Sequence, residues 1–238
     1  MKRNEKQTGM NNTFVQIFLV KFNNEISFYE IPALRGAILA ALGENVELLF
    51  HNHTGDHTFR YKYPLIQYKR IRGKAAVFCI GEGVEAIGRF LSLQDFTVAL
   101  GDRTIRLEVE AILPKRIMVQ IWDSAFRYRI RKWLPLNSEN YQKYLQLDEY
   151  TARIEFLERM LTGNLLSFAK GLGISLEKEL VCKILSLDEP SLISVKGVKM
   201  MAFDVEFKTN LSLSDYMGVG KHVSLGFGTV VRVYNENK

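Results

Sequence analysis

The order in which apolar patterns change along the first hundred residues limits the fold most. Thr13–Lys21 is dense in Phe, Val and Ile and reads as a strand. Pro32 then opens a helix in which Leu34, Ile38, Ala41 and Leu42 share a face, and Gly43 ends it. Val46–His51, Tyr61–Arg70 and Ala75–Ile80 read as strands. Gly81-Glu82-Gly83 opens a short helix with Val84, Ile87 and Leu91 on one face, and Phe96–Leu100 is a further strand. With one strand more between the helices, this is the strand–helix–strand–strand–helix–strand order of the ferredoxin-like pattern, an antiparallel sheet covered on one face by two helices.

The second half reads as a looser copy. Arg103–Leu113, Ile117–Trp122 and Phe126–Trp133 are strands, Ser138–Gly171 is largely helical, and strands at Glu179–Leu187, Val198–Asn210 and Gly228–Tyr234 finish the chain. Tyr150, Ile154, Leu157, Leu161, Leu165 and Phe168 form one apolar stripe on the helical stretch. The expectation is an α+β chain of two tandem ferredoxin-like (RRM-like) units with antiparallel sheets. Its parts are a disordered lead over 1–12, an N-terminal unit over 13–101 and a C-terminal unit over 102–238 carrying a glycine-rich loop at 218–228. No residue-level repeat is visible, so the duplication rests on element order alone.

Composition narrows the class. Over 238 residues, 47% hydrophobic content with 24% charged excludes global disorder. No apolar run approaches the ~18 residues of a membrane span. Phe14–Val20 is too short for a secretory signal and runs into Lys21 with no small-residue cleavage site. Cys79 and Cys182 each sit alone in an apolar run, which fits buried thiols in a cytoplasmic protein and excludes a disulfide scaffold.

The net charge of +6 is uneven. Arg60, Lys62, Lys69, Arg70, Arg72 and Lys74 fall between His57 and Ile80 with no acid among them. Arg127, Arg129, Arg131 and Lys132 fall between Ser124 and Asn137, again with none. These windows carry +10, so the remainder of the chain stands at −4. Clustered cations on a mildly acidic body point to a polyanion-facing surface. In Phe126–Lys132, period-two alternation sends Phe126, Tyr128 and Ile130 one way and Arg127, Arg129 and Arg131 the other. Guanidinium groups so spaced suit a phosphate backbone, and solvation by counter-ions is the bland alternative.

Three of the four histidines lie in His51-Asn52-His53-Thr54-Gly55-Asp56-His57. Imidazoles exchange protons near neutral pH. Two of them at one phosphodiester can cleave RNA without metal: one deprotonates the ribose 2′-OH, which attacks phosphorus, and the other protonates the departing 5′-oxygen. The products are a 2′,3′-cyclic phosphate and a 5′-hydroxyl, and DNA is inert. A His-x-His metal site is the rival reading, but only Asp56 is at hand to complete it.

Near the C-terminus, Gly218-Val219-Gly220-Lys221-His222-Val223-Ser224-Leu225-Gly226-Phe227-Gly228 fits neither a dinucleotide fingerprint nor a P-loop. Backbone N–H groups of Gly218, Gly220, Gly226 and Gly228 could approach phosphates closely, with Lys221, His222 and Ser224 adding donors. A glycine-rich hairpin with no ligand is the alternative. This G-x-G, five residues, G-x-G arrangement resembles the RAMP superfamily of CRISPR-associated proteins, which are tandem ferredoxin-like folds. Leu34-Arg35-Gly36-Ala37-Ile38, followed by histidine at the end of the next strand, resembles the repeat-RNA-cleaving endoribonuclease branch. Tyr61-Lys62-Tyr63-Pro64-Leu65-Ile66-Gln67-Tyr68-Lys69 is similar to its paired-histidine subtype.

The resemblance implies metal-independent cleavage of CRISPR precursor RNA within its repeats, with no cofactor and no metal. His51 and His53 would hold the acid–base pair, and Tyr61 or Tyr63 would assist. The RNA would lie between the two units, bound by Arg60, Lys62, Lys69, Arg70, Arg127, Arg129, Arg131 and the glycine loop. Its partners would be repeat RNA or precursor crRNA, with CRISPR effector subunits and a homodimer as further candidates and no membrane. A non-catalytic RNA-binding subunit of an effector complex shares the fold and the loop, but has no need of the histidine cluster.

Overall fold

The computed structural model describes residues 14–42, 63–93 and 95–234. The lead over 1–12 and the strand expected at Val46–His51 lie outside them. β1 (Phe14–Glu25) leads through a 3-10 turn at Phe28–Glu30 into α1 (Ile31–Leu42), followed by β2 (Ile66–Ile71), β3 (Lys74–Ile80) and α2 (Gly83–Leu91). β4 (Thr97–Leu100), β5 (Arg103–Arg106) and β6 (Val109–Met118) come next. β1 pairs antiparallel with both β3 and β6, giving the sheet order β2-β3-β1-β6.

That is the ferredoxin-like order, with β6 as its fourth strand. Sequence patterning assigned the place to Phe96–Leu100 and put residues 103–113 in the second unit. In the structure β4 instead turns through Gly101 and Asp102 and pairs with β5 as a two-stranded ribbon. Length explains the exchange. The four residues of β4 offer β1 few ladder bonds, whereas β6 runs beside β1 from Phe14–Met118 to Phe22–Val109.

The second sheet repeats the plan. It comprises β7 (Ile121–Trp133), β8 (Cys182–Leu187), β10 (Val198–Leu211) and β11 (Thr229–Arg232) in the order β11-β7-β10-β8. β9 (Ser191–Val195) adds a hairpin onto β10 and has no counterpart in the sequence reading. The helical stretch is two helices, α3 (Ser138–Leu145) and α4 (Tyr150–Gly171). Asn137 caps α3 by accepting from the Asn140 amide at 2.7 Å, and the Leu147 carbonyl between the helices accepts from Arg153 Nε. Where the first unit places α2, this unit has residues 212–228, with a single 3-10 turn at Val223–Leu225. Tyr216, Gly220, His222, Gly226 and Gly228 all have positive φ there, which no α-helix accommodates.

The first sheet is covered on both faces. Val20, Phe22, Val77 and Cys79 pack with Leu34 and Ile38 of α1 and Ile87 and Phe90 of α2. The alternate residues Val15, Ile17, Leu19, Phe78 and Ile80 join a core with Tyr128, Ile130, Leu165, Phe168 and Val219 of the second half. At ~1.5–3 kcal/mol per large side chain removed from water, this shared core binds the two halves into one body. Among the described residues, no helix is long and apolar enough to cross a membrane.

Candidate functional site

The glycine loop sits against the first sheet. The Tyr63 hydroxyl donates to the Gly218 carbonyl at 2.7 Å and accepts from Gln67 Nε2 at 2.7 Å. Its ring meets Phe168 edge-on at 5.1 Å, and its burial raises the phenol well above its ordinary range. A phenol held this way joins the two halves. Gln67, fully buried, also donates to the Pro64 carbonyl.

The loop glycines face protein. A Cβ on Gly218 would lie 2.7 Å from Gln67 Oε1, one on Gly220 would lie 2.9 Å from the Trp133 indole, and one on Gly226 would lie 2.7 Å from Ile31 Cδ1. At Gly228 it would be 1.9 Å from the Val219 carbonyl oxygen. Several loop amides are taken by backbone: Val219 donates to Gly228, Lys221 to Leu134, Gly226 to Val223 and Gly228 to Lys132. Close packing therefore accounts for these glycines, against the first unit at Gly218 and Gly226 and within the second unit at Gly220 and Gly228. The Lys221 ammonium donates to the Leu136 carbonyl at 2.8 Å, and partial burial lowers its pKa. His222 is half-buried, and desolvation, with Lys196 and Lys221 nearby, lowers its pKa too.

The basic windows divide. His51, His53, Tyr61, Arg60 and Lys62 lie outside the described residues. Lys69 does not reach the RNA-facing surface expected for it. It is 1% exposed, its ammonium donates to Thr229 Oγ1 at 3.2 Å, and desolvation lowers its pKa to about 7. The reason is that the face of β2 that carries Gln67, Lys69 and Ile71 is covered by the second unit, so alternation offers Lys69 no solvent side. Arg70 is exposed and donates from Nε to the Ile26 carbonyl at 2.6 Å. Lys74 bridges to Glu110 at 3.1 Å.

On β7, Tyr128 and Ile130 are buried while Arg127 and Arg131 are exposed and Arg129 is half-buried. Two of these arginines have acidic partners on the same sheet: Arg127 pairs with Glu206 of β10, and Arg129 with Asp188 just after β8. No such pair involves Arg131 among the described residues. Sequence reasoning missed Gln67 and Trp133, whose indole donates to Asn164 Oδ1 at 2.9 Å beside Gly220. Nothing in local periodicity flags a polar side chain that faces another unit. No three His, Cys, Asp or Glu side chains converge as metal ligands among the described residues.

The geometry agrees with the comparisons. The Cas6b N-terminal domain model matches residues 13–117, and the Cas6b C-terminal domain model matches residues 120–233. A crystal structure of Cas6b superposes with a TM-score of 0.83 at 31% identity, over 93% of this chain and all of that one. A second, of the CRISPR RNA processing endoribonuclease Cas6b, gives 0.70 at 27% identity over the same shares. An uncharacterized protein of Methanocaldococcus jannaschii is 38% identical over 112 residues, spanning 47% of this chain and 75% of its own length. With both domain models matched in sequence and the solved fold covered in full, the chain belongs to the Cas6b family, within the Cas6 CRISPR RNA-processing endoribonucleases.

Proposed function

We propose that this protein cleaves CRISPR precursor RNA within its repeats by metal-independent attack of a ribose 2′-OH. His51 and His53 act as the acid–base pair. One removes the 2′-OH proton, and the other delivers a proton to the departing 5′-oxygen as the 2′,3′-cyclic phosphate forms. Tyr61 is the assisting tyrosine, because the Tyr63 hydroxyl is engaged with Gly218 and Gln67. Arg70 and Arg131 hold phosphates.

The observation that carries the reading is the joint at Tyr63. Tyr63 follows His57 by six residues in sequence, and its hydroxyl ties that point of the chain to the glycine loop. The shared apolar core fills the space between the units, so the RNA runs along the rim that both share rather than through their interface.

Repeat RNA incubated with the protein in EDTA tests this directly. Full activity, 2′,3′-cyclic phosphate and 5′-OH ends, and no cut at a single 2′-deoxy position are the expected results. His51→Ala and His53→Ala should each slow single-turnover cleavage by ~10²–10⁴ while affinity stays within a few-fold. Loss of activity in EDTA would move the histidines to metal binding, and cleavage of the deoxy substrate would overturn 2′-OH attack.

A further inference from the structure

A pocket of about 230 Å³ opens beside the glycine loop, away from Tyr63. Four pieces of chain build it: the 3-10 turn and start of α1 give Phe28, Tyr29 and Arg35, the end of β7 gives Lys132, the β9–β10 hairpin gives Lys196, and the loop gives Phe227. Both halves of the molecule therefore contribute. Phe28 meets Phe227 edge-on at 5.0 Å, and Lys132 Nζ stands 3.6 Å over the Phe28 ring. Tyr29 flanks Phe28 edge-on at 6.3 Å and is 78% exposed. Among the described residues, no carboxylate lines the pocket.

Aromatic faces ringed by cations, with no acid, suit a flat ring system that carries a negative group. The volume lies below the ~300 Å³ lower end for drug-sized ligands, so it matches one ring system rather than a paired duplex. Lys132 and Lys196 both hold left-handed backbone, with φ of 48° and 50°. Non-glycine residues seldom adopt it, and here it turns two long cationic side chains toward one mouth.

We infer that this pocket takes one unpaired nucleotide of the RNA, with its base against Phe28 and Tyr29 and its phosphate between Lys132 and Lys196. The inference rests on the RNA-processing reading above. A nucleotide seated here touches both units at once and sets the register of the strand on the protein. Base–aromatic stacking tolerates any base, so the site reads whether a nucleotide is unpaired rather than which base it carries.

The test uses the full chain and the CRISPR repeat RNA of its source genome, made uncleavable by a 2′-deoxy substitution and scanned with single abasic positions. Tyr29→Ala removes an exposed ring, and Lys196→Asn keeps a residue that accepts the left-handed turn, so neither should disturb the melting temperature. With the parent, one abasic position should weaken binding ~5-fold or more. Tyr29→Ala should weaken binding of intact RNA similarly and erase the effect of that abasic position. Lys196→Asn should lower the log–log salt slope by ~0.7–0.9. If the parent binds repeat RNA tightly and both variants match it, the pocket assignment falls alone. If the parent neither binds nor cleaves repeat RNA, the RNA-processing reading falls and takes the pocket with it.

Discussion

The Tyr63 hydroxyl donates to the carbonyl of Gly218, 155 residues away in sequence, at 2.7 Å. The same oxygen accepts from Gln67, and the Tyr63 Cβ lies where any side chain on Gly171, at the end of α4, would have to go. One residue thus touches the first sheet, the long helix of the second unit and the glycine loop.

Tyr63→Phe should separate stability from chemistry. It strands the buried Gly218 carbonyl and takes one of two acceptors from the Gln67 amide, a loss of ~1–3 kcal/mol in urea unfolding. Under conditions where the variant stays folded, single-turnover cleavage should remain within ten-fold of the parent. A loss of 10²-fold or more in folded protein would make Tyr63 part of the chemistry.

Gly228 and Gly101 share a left-handed backbone, with φ of 59° and 63°. A Cβ meets the Val219 carbonyl oxygen at 1.9 Å in the first case and nothing within 4 Å in the second. Gly101→Ala should therefore cost ~1–2 kcal/mol from backbone strain alone. Gly228→Ala should cost several times more, or leave no soluble protein. Equal melting temperatures for the two variants would mean the loop is not tightly packed.

Lys69 links stability to pH. Its native pKa is lowered to about 7 from an ordinary value near 10.5. Between those values the unfolded chain holds a proton that the native chain lacks, so stability from this group rises with pH across that window. Below about pH 7 both states are protonated and the dependence vanishes. Lys69→Met keeps the stem packed and removes the charge. Relative to that variant, the parent should gain up to ~1.4 kcal/mol per pH unit between about pH 7 and 10. Parallel stability–pH curves would overturn this.

Arg131 should matter more to RNA than its neighbours on β7. Arg127 and Arg129 must give up Glu206 and Asp188 before they can take a phosphate. Arg131→Ala should reduce the salt slope of binding by ~0.7–0.9, and Arg127→Ala by less. Slopes measured over a range of KCl concentrations check the ranking, and a steeper loss for Arg127→Ala would reverse it.

α1 and β1 of the first unit were legible because local periodicity marks them: Leu34 and Ile38 on α1, and alternating large apolar residues along β1. The partner of a strand was not. Thr97–Leu100 has the same short-range pattern whether it joins a sheet or a ribbon, and only the longer reach of Val109–Met118 along β1 decides between them. The burial of Lys69 was hidden for a related reason, since alternation shows which residues share a face and not whether that face is covered. The β9–β10 turn did leave a trace in Lys196-Gly197, a pair that supplies the two positive φ angles of a tight hairpin. The arginine face of β7 was legible, but its acidic partners come from elements some 59 and 79 residues away and no local pattern announces them. His51 and His53 lie outside the described residues, and their roles rest on spacing and on family resemblance.

Every residue from Ala75 to Ile80 is at most 1% exposed, because helices cover one side of that strand and the second unit covers the other. Cutting the chain near residue 118 would leave Val15, Ile17, Leu19, Phe78 and Ile80 as a bare greasy panel, a ready seed for aggregation. The halves look like a duplication in their strand order, yet neither is self-sufficient. The chain should melt in a single transition, and co-expressed fragments should be recovered only as a reassembled pair.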